Sequence, residues 1–322
     1  MSNHRQQLLR WAEQGSIPAD KMDAALKTAG LLPGTRDWSR FLGRLLLVAG
    51  MLSLAVSVLF FFAFNWHSLG RLTKLGLIES LIILSLIGYC YFGGSRLTGK
   101  IILTVAMILL GVLMALFGQI YQTGADTWQL FAGWALLAFP WVLIGRFAPL
   151  WLLWAVLVNF WVYLYNTTFP PLWWAFSSTE TTLWTSFFFN TLLLILWEMG
   201  TKYFSWLEGR WAIRLLAVAG GTVATMIVIF TIVDRHQAGG WNILLYLGWC
   251  TGIYLGYRHF RHDLFMLAGL CLSIIIGTMV LLAKVLLDSG NAGGFLFIAL
   301  AMVAMSAISA VWLKKVHGET VG

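Results

Sequence analysis

The sequence predicts an all-α polytopic bundle of about ten transmembrane spans, with a short helical hairpin ahead of them and both chain ends on the cytoplasmic side. Three observations carry this. Of 322 residues, 60% are hydrophobic and only 11% are charged, against about 25% charged in an ordinary soluble domain. The apolar residues fall into runs of membrane-crossing length. The 21 Lys and Arg are distributed unevenly among the segments between those runs. The mean hydropathy of +0.81 leaves more apolar surface than a soluble globule of this size can hide. That excludes a soluble enzyme, a nucleic-acid reader and a secreted disulfide scaffold.

The first element is a cytoplasmic helical hairpin over residues 1–40. Leu8, Leu9, Trp11 and Ala12 form one apolar stripe; Met22, Ala25, Leu26 and Ala29 form a second. Ser16 is placed as an N-cap, Pro18 suits a first helical turn, and Gly30 with Pro33 ends the run. The region has no long apolar core with a cleavage site, so the N-terminus is expected to be retained.

The bundle follows over 41–315, with a cytoplasmic tail at 316–322. The ten apolar runs are about 41–64, 72–92, 101–120, 128–145, 150–168, 182–198, 211–233, 241–257, 264–287 and 293–313. Lipid offers the backbone no hydrogen-bond partner, so each run must be helical. With the N-terminus inside, seventeen Lys and Arg fall in inner segments. Only Arg71, Lys74, Arg235 and Lys284 fall in outer ones. This asymmetry fixes orientation by the positive-inside rule and favours an even span count. It also explains the net charge of +8 without a nucleic-acid partner. The bilayer is the expected partner, with membrane or periplasmic proteins as further ones.

An internal similarity suggests parallel repeats. Arg44-Leu-Leu-Leu-Val-Ala-Gly50 and Arg214-Leu-Leu-Ala-Val-Ala-Gly220 agree at six of seven positions. The repeats would cover 41–145 and 211–313, with spans five and six inserted between them.

Several stretches resemble domain-of-unknown-function family 2157, a family of predicted bacterial membrane proteins. Phe41-Leu-Gly-Arg-Leu-Leu-Leu-Val-Ala-Gly50 is similar to its opening and Phe62-Ala-Phe-Asn-Trp66 to its first outer turn. Phe117-Gly-Gln-Ile-Tyr-Gln-Thr-Gly-Ala-Asp126 with Trp134-Ala-Leu-Leu-Ala138 is similar to its third loop and fourth span. The resemblance covers about residues 1–150. It implies an integral protein of the bacterial inner membrane and supplies no activity.

Glu79 is the first candidate contact for an ion, proton or substrate, because a carboxylate inside an apolar span is costly unless it meets water or a partner. The alternative is a structural hydrogen bond or ion pair, with Lys284 or Arg71 as the cation. Thr73, Gly76 and Ser80 share its face, which suits close helix packing. At the outer ends, Gln119, Tyr121, Gln122 and Asp126, together with Asn65 and Trp66, supply the groups for a polar mouth. The alternative there is a turn at Gly124 with Asp126 as a helix cap. Asn159 and Asn190 are expected to stitch spans five and six together. His67 and His236 are read as solvated loop residues, and Arg258-His-Phe-Arg-His-Asp263 as a headgroup contact. Cys90, Cys250 and Cys271 are read as small buried hydrophobes. No metal set, cofactor motif or catalytic motif is present, so the chain is not expected to be an enzyme. The leading function is a secondary transporter or carrier for a small solute or ion; the alternative is a non-catalytic membrane assembly protein, and a membrane enzyme acting on a lipid-linked substrate is a distant third.

Overall fold

The computed structural model describes residues 11, 18–29, 34–65, 67–169, 178–234, 240–287 and 292–321. Every regular element among them is helical. The chain divides into two compact units, Met1–Leu109 and Leu110–Gly322.

The first unit holds α1 (Met22–Thr28), α2 (Thr35–Phe64), α3 (Arg71–Phe92) and the start of α4 (Leu97–Tyr121). A 3₁₀ turn at Ala19–Lys21 leads into α1. Only this second arm of the expected hairpin is described; Ser16, Gly30 and Pro33 lie outside the described residues. α2 starts where the Asp37 carboxylate accepts from the Gly34 N–H at 3.0 Å, satisfying a donor at a helix start, where N–H groups have no intrahelical partner. Its apolar side chains face outward, with Leu46 69% and Phe60 70% exposed, as expected of a helix whose neighbour is lipid. α3 buries the Lys74, Ile78 and Ile82 stripe. The small-residue face of Thr73, Gly76 and Ser80, expected to be packed, is exposed instead. The turn from α3 to α4 is tight enough that a Cβ on Gly99 would collide with the Gly93 carbonyl.

The second unit holds the rest of α4, then α5 (Thr127–Gly145), α6 (Ala148–Thr168), α7 (Ser178–Gly200), α8 (Arg210–Val233), α9 (Trp241–Leu255), α10 (Leu264–Leu287) and α11 (Ala292–Val321). The α5–α6 break is made by Arg146 in the left-handed region and Pro149 in the first turn of α6. Trp154 of α6 donates to the Ala135 carbonyl of α5 at 3.0 Å. Sequential helices pack as neighbours from α5 to α9, and α10 lies against both α8 and α11. The core between them is built on Trp197, Ile213, Leu216, Tyr257, Met266 and Leu267.

Among the described residues, nine helices are long and apolar enough to cross a membrane. The tenth expected span, 241–257, differs in kind. Its α-helix is only 15 residues long, but a π-helical turn over Gly256–Phe260 extends it without a break. Together they make twenty residues, about 30 Å by the α-helical rise. The chain end also differs from expectation. The last helix continues through Val321, so the segment expected as a tail is helical. Cys90, expected to be buried, is exposed.

Candidate functional site

Five charged side chains converge where α7 ends, α8 begins and the chain enters α10. Glu198 sits in the last turn of α7, Arg210 and Arg214 in the first turn and a half of α8, and Arg261 and Asp263 between the π turn and α10. Asp263 occupies the N-cap position, and its Oδ1 accepts from the Phe265 N–H at 3.0 Å, a capping bond that satisfies a helix-start donor. The same carboxylate receives Arg210 Nη2 at 2.5 Å and Arg214 Nη2 at 3.2 Å. Arg210 also reaches Glu198 at 3.2 Å, and Arg261 reaches the other Glu198 oxygen at 2.6 Å. Tyr257 donates its hydroxyl to Glu198 at 2.9 Å.

Three guanidiniums thus meet two carboxylates. The Asp263 side chain is only 3% exposed. Burial alone would raise its pKa; the hydrogen bonds from Arg210 and Arg214 outweigh that and hold the carboxyl below its ordinary value. Arg is suited to this place because its planar fork bridges two carboxylates and never loses its charge. Arg210, Arg214, Tyr257 and Asp263 line a basin of about 420 Å³ with His262 and His317.

A second polar group lies farther along the same helices. Tyr246 Oη is 2.8 Å from Ser273 Oγ, which is 2.7 Å from Thr225 Oγ1. Thr225 in turn donates to the Gly221 carbonyl at 2.7 Å. Each hydroxyl has one proton, so the chain is directed: Tyr246 donates to Ser273, Ser273 to Thr225, Thr225 to the backbone. The remaining lone pairs are acceptors. Ser273 lies about 14 Å along α10 from Leu264. Thr225 and Ser273 line a cavity of about 350 Å³ between α8, α9 and α10. Phe265 borders both this cavity and the charged basin, and the Arg214 guanidinium sits 5.3 Å from its ring centroid. On the other side, Tyr246 and Thr231 line a third cavity of about 480 Å³ between the same helices. Beside it, Asn242 accepts from Trp184 and donates to Thr231, each at 2.9 Å.

The residues singled out from sequence lie elsewhere. Glu79 is exposed on α3. Lys284, offered as its partner, instead caps the end of α8 through the Ile232 and Val233 carbonyls. Asn65 closes α2 by donating its side-chain amide to the Phe61 carbonyl at 3.0 Å; Trp66 and His236 lie outside the described residues. Gln119, Tyr121, Gln122 and Asp126 form an exposed stretch at the α4–α5 turn, with Gln122 and Gly124 at positive φ. Asp126 holds the N-cap position of α5, but its carboxylate accepts from the Trp128 indole at 3.3 Å rather than from the helix backbone. Asn159 and Asn190 do join α6 to α7 as a reciprocal amide pair.

Sequence reasoning passed over Glu198 and Asp263. The signal was available: two carboxylates at helix ends, Asp263 two residues after Arg261 and Glu198 four residues before Lys202. The 258–263 segment, expected as a headgroup contact, sends Arg261 and Asp263 into the ion cluster. Among the described residues, no group of three or more His, Cys, Asp or Glu is placed to hold a metal ion.

No curated protein and no solved structure matches the chain. The charged cluster and the hydroxyl chain lie beyond the part of the sequence that does find a relative. Residues 9–151 match the model of the family described as predicted membrane protein (DUF2157), the family that the Phe41–Gly50 and Phe117–Asp126 segments resemble.

Proposed function

We propose that the chain is a carrier for a small polar solute or ion in the bacterial inner membrane, with both termini in the cytoplasm. The observation that carries the reading is the series of three cavities along α8, α9 and α10. The charged basin lies at one end. The Arg214–Phe265 contact lies between it and the hydroxyl-lined cavity, and Tyr246, bonded to Ser273 of that cavity, lines the third. The hydroxyl chain has its protons committed and presents acceptors, so it suits a solute that donates hydrogen bonds, or a cation. The chemistry is binding and passage, without a bond-breaking step.

Cysteine accessibility tests this without knowing the solute. In a chain with Cys90, Cys250 and Cys271 replaced by Ala, Ser273→Cys is expected to react with a membrane-impermeant methanethiosulfonate in intact vesicles. Ile213→Cys, at a fully buried core position, is the unreactive control. Equal rates at the two positions overturn the carrier reading.

The second reading, an assembly protein acting through partners, is favoured by Glu79. It shares the exposed part of α3 with Leu72 and Ile83. A carboxylate on a lipid-facing surface is costly, and a partner helix would cover it.

A further inference from the structure

A different groove on the second unit has the shape and charge of a lipid site. It runs between α7 and α9, with a volume of about 520 Å³. Along most of its length the lining is apolar: Leu194 and Ile195 on α7 face Trp249 and Ile253 on α9. The lining recurs at helical spacing on α7 from Thr191 to Lys202, which is about 16 Å of helix. Gly252 and Gly256 leave the α9 side open, since a Cβ added to either meets no atom within 4 Å. The polar groups gather at one end, where Glu198, Lys202 and Arg261 stand at the helix termini.

That end is cationic. Lys202 and Arg261 line it, and Arg210 and Arg214 join it through the shared carboxylates. Against these four cations stand Glu198 and Asp263, leaving two positive charges. Arg261 bonds Glu198 Oε2, the Glu198 carbonyl and Thr201 Oγ1. These use three of its five N–H groups. The Lys202 side chain is exposed and makes no hydrogen bond or ion pair to another described residue.

We propose that this groove binds one anionic glycerophospholipid of the surrounding leaflet. An acyl chain lies along the Leu194–Ile253 wall, and the phosphate meets Lys202 and Arg261. The match is one of charge and of length: the apolar stretch ends where the bundle ends, and the cations stand at headgroup level. A guanidinium with uncommitted N–H groups recognises a phosphate in two-point fashion, and a lysine at the same level adds attraction to anionic lipid. The groove shares the Trp249 and Ile253 wall with the hydroxyl-lined cavity, but the proposal does not rest on the carrier reading.

The test uses the full chain purified in detergent, titrated with dioleoylphosphatidylglycerol or dioleoylphosphatidylcholine and followed by native mass spectrometry. One phosphatidylglycerol is expected to be retained per chain, in clear preference to phosphatidylcholine. Lys202→Gln is expected to weaken the anionic lipid roughly fivefold and leave the melting temperature of the lipid-free chain unchanged. Gly252→Leu starts from a Cβ position with open space around it, fills part of the groove and is expected to abolish retention. Equal retention of the two lipids by the unaltered chain overturns the proposal. So does unchanged retention in Lys202→Gln. Occupancy by inorganic phosphate with no lipid retained identifies a soluble-anion site and also overturns it.

Discussion

Asp263 does three jobs with one carboxylate: it caps α10, anchors Arg210 and anchors Arg214. Its depressed pKa means that the folded state holds its proton more weakly than the unfolded chain does. Its contribution is therefore present above the ordinary carboxylate value, about pH 4, and is lost as pH falls through the lower folded value. Asp263→Asn leaves two arginines short of a partner. Arg214 is half exposed and keeps its hydration, so the cost is expected at the low end for a broken buried pair, roughly 3 kcal/mol. Thermal melts in detergent should show the gap between the two chains wide at pH 7 and closing toward pH 3. Glu79 is exposed on α3, where a charge facing lipid costs stability, so Glu79→Gln is expected to leave the melting temperature unchanged or raise it. A drop in the same melt would reveal a partner that covers Glu79.

At the scale of elements, helix existence was legible and helix contact was not. Runs of twenty apolar residues allow no other backbone structure in lipid. What those runs touch depends on residues whose sequence signal is weak. Gly111 reads as an ordinary glycine in an apolar stretch, yet a Cβ there would sit 2.5 Å from the Trp134 ring. The Trp134 ring of α5 seats against the α4 backbone because of it. Gly111→Leu is expected to cost about 1–3 kcal/mol by overpacking, while Gly248→Leu, with open space around its Cβ position, should cost much less. Comparative melting temperatures of the two variants decide this. The π turn was equally hidden. Arg258-His-Phe-Arg-His looked like a polar loop, but Tyr257 and Arg261 are drawn inward to Glu198, and the helix extends to Phe260 to deliver them. The candidate site was missed because a single polar position in an apolar run draws attention, whereas charges at helix ends look like ordinary topology signals.

For the whole molecule, the repeat motif illustrates how environment separates similar words. Leu46 of the first copy is exposed, whereas its counterpart Leu216 in the second is buried and Arg214 before it is held in the ion cluster; Leu45 and Val48 are exposed, as are their counterparts Leu215 and Val218. Orientation rests on the charge asymmetry, and reporter fusions test it: one after Thr123 should register the periplasm and one after Lys315 the cytoplasm. Matching signals at the two sites would refute the even span count. The arginine cluster gives these same charges a history. During synthesis Arg210 and Arg214 are exposed cations that help decide which way α8 enters the membrane. Their Asp263 partner is made later, some fifty residues downstream. On this topology the chain must cross along α8 and return along α9 before the address can become a clasp. Arg210→Lys keeps the first role, which needs only a positive charge, and loses the second, which needs the forked guanidinium. Such a chain should insert in the correct orientation and then fail to hold, a defect of maturation with targeting left whole.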